Sequence, residues 1–387
     1  MRIVFLSWSA AYGGAEKHYV ELIERLDLSQ YQPVILCFGA DPFSRILNDQ
    51  LHLGIQIETG LQLHSFFRTW NRIRKTKPDR VVFIAGVVGA FPWYIFLAAR
   101  LSGAKHVCAV YHNFSVIPET VPNTGNRLLY LAKRAFGWRA RHLLGARIAA
   151  ALTYRSVCIS ERLRDRLIGT FGFPEDRVVT VLNGVDLNLY SCPHPKAATL
   201  RKELGVGPDE ILMAVACRLV KAKGVDILLR AMDLLREEVT NLKCVIVGEG
   251  PCSDELYQLA GQLGLSSRVV FVGFQGDVRP YLQAADFLVS ASSPTWVECF
   301  GMSTLEAMAC GVPSIASNAG GVPELVFDEQ DGLLVAPGSV EELRAAIKRM
   351  ATDSALRRRM GERAREKVRS KFDLERWFKE FKANLLE

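Results

Sequence analysis

The stretch SPTWVECFGMSTLEAMACGVPSIASNAGGVPEL (293–325) holds two glutamates, Glu298 and Glu306, with seven residues between them. Just before it, FLVSASS (287–293) is an apolar run ending in small residues, which reads as a buried strand. Gly301 opens a helical pattern, MSTLEAMACG, that Gly311 and Pro313 stop. Glu298 is therefore predicted in the loop before a helix, and Glu306 about a turn and a half inside it. The free N–H groups and positive dipole end of such a helix suit a phosphate. Two hydroxyl-binding acids beside a phosphate cradle describe a nucleotide-sugar site.

The same strand-then-helix unit recurs along the chain. RIVFLSW, QPVILCF, RVVFIAG, KHVCAVYH, SVCIS and VVTVLNG read as strands in the first half. ILMAVACRL, KCVIVGEG, RVVFVGF, DFLVSAS, PSIASN and GLLVAP do so in the second. Their alternation with helical patterns implies parallel sheets covered on both faces, so the fold class is α/β. Six strands on each side of residue 190 fit two doubly wound domains. LNLYSCPHPKAAT, with Pro193 and Pro195, reads as the linker between them. In such domains a ligand belongs at the C-terminal ends of the strands. The tail after residue 339 is helical, and its end, FDLERWFKEFKANLL, is expected to bury Phe372, Leu374, Trp377 and Phe378.

Composition narrows the class. The length, 387 residues, suits two or three domains. Nine cysteines with no C-x-x-C pair indicate free thiols in a reducing compartment, not a disulfide framework or a zinc site. MRIVFLSWS is too short an apolar run for a signal peptide. Residues 81–99 carry no charge, which is long enough for a membrane span. Gly86, Gly89 and Pro92 punctuate the run, and a buried strand followed by an apolar helix is the reading adopted. Residues 1–190 hold 23 Lys/Arg against 14 Asp/Glu, so an anionic partner or a solvated basic surface belongs to that half. The stretch 126–154 is helical, basic and aromatic, as an interfacial helix on anionic lipid would be; a solvated helix over the core is the alternative. No nucleic-acid motif accompanies the charge.

Glu298-x7-Glu306, the segment NAGGVPEL (318–325) and Arg218-LVKA-Lys223-Gly224 together resemble the retaining glycosyltransferases of GT-B architecture, the group 1 or family 4-like enzymes. The resemblance runs from GGAEKH (13–18) to the last helix. It implies two Rossmann-like domains facing a central cleft: residues 1–190 for the acceptor and 191–370 for the nucleotide sugar. Residues 371–387 would form a helix packing back on the first domain. It further implies that Glu306 binds the ribose hydroxyls and Glu298 the transferred sugar. Phe300, Gly301 and Met302 would offer backbone N–H groups. Arg218 and Lys223 can grip a pyrophosphate, one as a fork and one as a point charge, and stabilise the leaving diphosphate with no metal or other cofactor.

His112, at the end of KHVCAVYH, would approach the donor sugar; a buried structural histidine is the alternative. Gly14 would touch the distal phosphate or the acceptor, unless the turn is only structural. Phe274 lies where base recognition usually sits, and Asn183 near the linker is a further donor contact or a turn residue. GEGPCS (248–253) lacks the third glycine of a dinucleotide loop and is read as structural. Cys299 replaces the usual glycine of the family's pattern, and Trp296 is inserted beside it. The expected activity is transfer of a sugar from a nucleoside-diphosphate sugar to an acceptor hydroxyl with retention, in cell-envelope polysaccharide or glycolipid biosynthesis. The acceptor would be a carbohydrate or lipid-linked. The protein would be cytoplasmic, either free or peripheral on the inner face of the membrane. Two rivals are a nucleotide-sugar epimerase on the same architecture and a non-catalytic sugar-nucleotide-binding protein.

Overall fold

The computed structural model describes residues 1–7, 14–38, 55–61, 65–85, 92–112, 138–294 and 298–387. By its internal contacts the chain forms two compact units, Met1–Leu182 with Phe378–Glu387, and Asn183–Trp377.

The first unit is built on seven parallel strands: β1 (Arg2–Ser7), β2 (Gln32–Phe38), β3 (Gln56–Leu61), β4 (Arg80–Ala85), β5 (His106–Tyr111), β6 (Arg155–Cys158) and β7 (Val178–Thr180). Their spatial order is β3-β2-β1-β4-β5-β6-β7. The central strands are buried on both faces, which is why they read as unbroken apolar runs. β3 departs from the sequence reading. It is an edge strand paired only to β2, it carries Gln56 and Glu58, and no residue from 55 to 58 is buried. Without a buried face it has no hydrophobic signature to read.

The uncharged run 81–99 is divided as expected. β4 takes its first part and the helix Trp93–Leu101 its last, with Phe83 and Phe96 stacked at 4.0 Å. Among the described residues no helix is long and apolar enough to cross a membrane.

The second unit holds six parallel strands: β8 (Ile211–Ala216), β9 (Leu242–Val247), β10 (Val269–Phe271), β11 (Phe287–Ser290), β12 (Ser314–Ser317) and β13 (Gly332–Val335), in the order β10-β9-β8-β11-β12-β13. The order reverses between β8 and β11. At such a switch point the loops leaving the two strands diverge and open a crevice. The stretch read as a linker holds two short helices, Leu187–Ser191 and Ala197–Glu203. Asp186 caps the first by accepting from the Leu189 N–H at 3.0 Å.

Three helices close the chain: Val340–Thr352, Ser354–Lys371 and Leu374–Leu385. In the last, Leu374, Trp377, Phe381 and Leu385 are buried. Phe378 is only half-buried, and Phe381, one turn on, is buried fully. Arg80, itself buried, donates to the Leu385 carbonyl at 3.2 Å and to the Glu387 main-chain oxygen.

Candidate active site

The β8 and β11 ends are pressed together by one glycine. After β8 the chain passes Arg218 into a 3₁₀ turn, Lys221–Lys223, and then into the helix Val225–Leu234. Gly224 joins turn to helix at φ +60°, and a Cβ there would lie 2.1 Å from the Ala291 carbonyl oxygen. Any side chain would force the two loops apart. The Ser293 N–H donates to the Ala222 carbonyl at 2.9 Å and fastens the same loops.

This approach sets the Lys223 ammonium on the Glu298 carboxylate. Burial pulls the lysine towards deprotonation, but the Glu298 charge and hydrogen bond outweigh it, and its pKa is raised. Lys223 is therefore a fixed cation at neutral pH. Neighbouring Cys217 is no thiolate, since burial pushes its pKa up to about 11. Arg218 is exposed, and its guanidinium makes no hydrogen bond or ion pair among the described residues. Lys223, Gly224 and Ser303 line a small cavity between β8 and β11.

Glu298 also fixes the far side of its loop, where its carbonyl accepts from the Gly321 N–H at 3.1 Å. The next helix, Met302–Cys310, starts from Gly301 at φ +94°. Its first-turn N–H groups have no intrahelical acceptors, which makes that end a ready anion site. Glu306 is buried in the helix, and the Tyr190 hydroxyl donates to it at 2.5 Å. Asn183 is buried too. Its Nδ2 donates to the Met302 sulfur at 3.5 Å, and its Oδ1 has no partner among the described residues. The Phe300 ring packs edge-on against Phe372 at 5.9 Å, so only its main chain can meet a ligand. Phe274 is 59% exposed just beyond β10, and the preceding Gly273 carbonyl accepts from the Gly248 N–H at 2.8 Å. Arg218, Lys223, Glu298, Glu306, Asn183, Phe274 and the Phe300–Met302 backbone thus all belong to the second unit.

The remaining candidates belong to the first. Gly14 opens the helix Gly14–Glu24; Gly13 lies outside the described residues, as does Trp296. His112 directly follows β5 and meets Tyr19 edge-on at 6.1 Å. Its Nε2 is buried without a hydrogen-bond partner among the described residues. Burial, with the neighbouring His18 adding to it, holds its pKa down to about 3. The imidazole is neutral at any ordinary pH, able to donate from one nitrogen and accept at the other.

A stability consequence follows. An unfolded histidine takes up a proton near pH 6.5, and His112 in the fold does not until about pH 3. Stability should therefore fall as pH drops from about 6.5 towards 3. His112→Gln is expected to flatten that part of a plot of melting temperature against pH. An unchanged slope would remove His112 as the cause.

Comparison with known proteins completes the picture. Residues 12–189 match the model of Glycosyltransferase Family 4, and residues 196–367 match that of Glycosyl transferases group 1. The chain belongs to the group 1 glycosyltransferases of GT-B fold. This glycosyltransferase is 28% identical to an uncharacterized glycosyltransferase of Methanocaldococcus jannaschii, over 98% of this chain and 96% of the relative. It is 33% identical to the GDP-mannose-dependent alpha-(1-6)-phosphatidylinositol monomannoside mannosyltransferase of Mycolicibacterium smegmatis, over 68% of this chain and 65% of that one. With N-acetyl-alpha-D-glucosaminyl L-malate synthase of Bacillus anthracis it shares 33% identity, spanning about half of either chain, 52% of each. Its fold matches that of Anabaena HepE, solved in complex with UDP, at a TM-score of 0.79 over 100% of this chain and 99% of that one, with 22% identity.

Tyr190, which touches the candidate residue Glu306 of this glycosyltransferase, was missed by sequence reasoning. It fell in the presumed linker. The available signal was the cap pattern, Asp186 followed three residues later by Leu189, which marks a helix that can carry an inward-facing tyrosine. Tyr190 holds one Glu306 oxygen and so orients the other. On the assignment of Glu306 to the donor proposed below, Tyr190→Phe should raise the KM for the sugar nucleotide about fivefold to tenfold while kcat stays near wild type, since one hydrogen bond to the Glu306 carboxylate is lost. Initial-rate kinetics read this directly, and an unchanged KM would deny the orienting role.

Proposed function

We propose that this enzyme transfers a hexose-like sugar from a nucleoside-diphosphate sugar to an acceptor hydroxyl with retention of anomeric configuration, without a metal, in the making of a cell-envelope polysaccharide or glycolipid. The Lys223–Glu298 pair at the switch point, beside the helix that carries Glu306, is the observation that carries the reading. In it, Glu306 takes the ribose, Lys223 and Arg218 take the diphosphate, and Glu298 takes the transferred sugar. Negative charge that builds on the leaving diphosphate meets two cations and a helix N-terminus already in place. A neutral His112 suits hydrogen bonding to a sugar hydroxyl.

Two kinds of relative support the donor class: HepE is solved with UDP-glucose, and the mycobacterial mannosyltransferase is named for GDP-mannose. Both glutamates serve binding here, so a front-face path through an oxocarbenium-like transition state is the mechanism proposed, with no covalent glycosyl-enzyme. A carbohydrate or lipid-linked acceptor fits it, and a lipid-linked one calls for a place on the cytoplasmic face of a membrane.

A melting-temperature screen of nucleoside diphosphates and their sugars tests the donor. Proton NMR of the product's anomeric signal tests the stereochemistry. A product of inverted configuration would end the retaining mechanism. Release of nucleotide with an altered free sugar and no acceptor would make the protein an epimerase instead.

A further inference from the structure

One face of the first sheet carries three helices, Phe66–Lys75, Trp93–Leu101 and Trp138–Leu152, the second packed on both of the others. Trp70 donates its indole N–H to the Leu101 carbonyl at 2.9 Å. Trp93 Cδ1 lies 3.7 Å from where a Cβ on Gly145 would be. The three helices contain eight Lys/Arg and no Asp or Glu. Two other described helices of this unit differ: Gly14–Glu24 holds three glutamates, and Glu161–Gly169 holds Glu161 and Asp165. A surface evolved only for solubility mixes the signs of its charges.

The same layer presents large apolar side chains to solvent. Phe67 is 74% exposed, Leu144 59%, Leu101 56% and Trp93 42%. Arg68, Arg74, Arg100 and Arg147 are exposed around them, with the Arg74 guanidinium over the Trp70 ring at 5.2 Å. Helices lying side by side offer ridges and not a groove. Protruding aromatic and aliphatic tips on a uniformly basic ridge match a lipid headgroup layer better than they match a folded protein's pocket.

We propose that this three-helix face docks on an anionic lipid bilayer, the arginines meeting the headgroup phosphates and Phe67, Trp93, Leu101 and Leu144 entering the interface. The basic stretch 126–154 supplies only one of the three helices. Phe67 and Trp93 stand at the first turns of their helices, hence towards the C-terminal ends of β3 and β4, the edge where ligands of such sheets bind. A lipid-linked acceptor would thus be presented at the rim of this unit. The docking gives a use to the lipid-linked acceptor in the proposed function, but it needs no donor and no transfer.

Co-flotation of the full chain with vesicles tests it. Binding is expected to phosphatidylcholine vesicles doped with phosphatidylglycerol and not to phosphatidylcholine alone, and added salt should weaken it. Arg68→Glu with Arg100→Glu should weaken partitioning at least about tenfold, each lost basic contact being worth roughly a factor of five. Phe67→Ser with Leu144→Ser should weaken it at unchanged charge. Nucleoside-diphosphate binding, measured separately, should be unaltered in both double variants, so failure of the donor assignment and failure of the docking are told apart. Absence of flotation on anionic vesicles at low salt, or equal flotation of the variants, overturns the proposal. So does a concentration-dependent dimer that the same substitutions abolish with no vesicle binding, which would give the face to a second copy.

Discussion

Arg218→Ala is expected to lower turnover by about two to three orders of magnitude, because a donor aimed at developing charge acts mainly in the transition state. The residue is well suited to this use. It is exposed at the end of β8 and its guanidinium has no partner among the described residues, so the fold does not depend on it. The melting temperature of the variant should match wild type, and its affinity for the nucleoside diphosphate should fall much less than its kcat. Arg218→Lys should recover only part of the rate, since a point charge replaces a planar fork. Steady-state rates at saturating donor give the answer, and a wild-type kcat in the alanine variant would take Arg218 out of the reaction. The equivalent experiment on Lys223 is harder to read, because its removal also strands the Glu298 carboxylate it touches.

Glu306→Ala is the second large effect. A carboxylate that grips a ribose hydroxyl contributes about 1.5–3 kcal/mol, so donor affinity should fall by roughly ten- to a hundredfold. The substitution also leaves the buried Tyr190 hydroxyl without its acceptor and should lower stability by about 1–3 kcal/mol. Glu306→Gln separates the two losses. Its amide oxygen still accepts from Tyr190, so stability should return while affinity stays reduced. Calorimetric titration with nucleoside diphosphates measures the first quantity and thermal melting the second. Wild-type affinity in the alanine variant would contradict the ribose assignment.

Much of this fold is legible in the sequence. Twelve strands could be read because parallel strands covered on both faces leave long apolar runs, and β8 and β11 are buried strands of that kind. The family resemblance named Glu298 and Lys223 as residues of one sugar-diphosphate site, but their direct contact joins side chains 75 residues apart and no spacing rule shows it. What escaped had physical reasons. β3 has no buried side to betray it. Tyr190 sits in a five-residue helix, too short for periodicity to register, and its role depends on a partner 116 residues away. Phe378 and Phe381 lie three residues apart on one helical face, so the pattern alone could not say which would be buried more deeply. The family pattern could name His112, but only burial shows that its imidazole is uncharged.

The last ten residues, Phe378–Glu387, belong by their contacts to the unit that begins at Met1. Leu385 and Leu386 are sunk in it, and Arg80 grips the main chain there. A ribosome makes all of Asn183–Trp377 between the two parts of that unit. The seven-stranded sheet must therefore wait, with an uncovered apolar seam, until residues 378–387 have been made. Nascent chains halted before residue 378 would expose that seam to chaperones and proteases, whatever the state of the unit between.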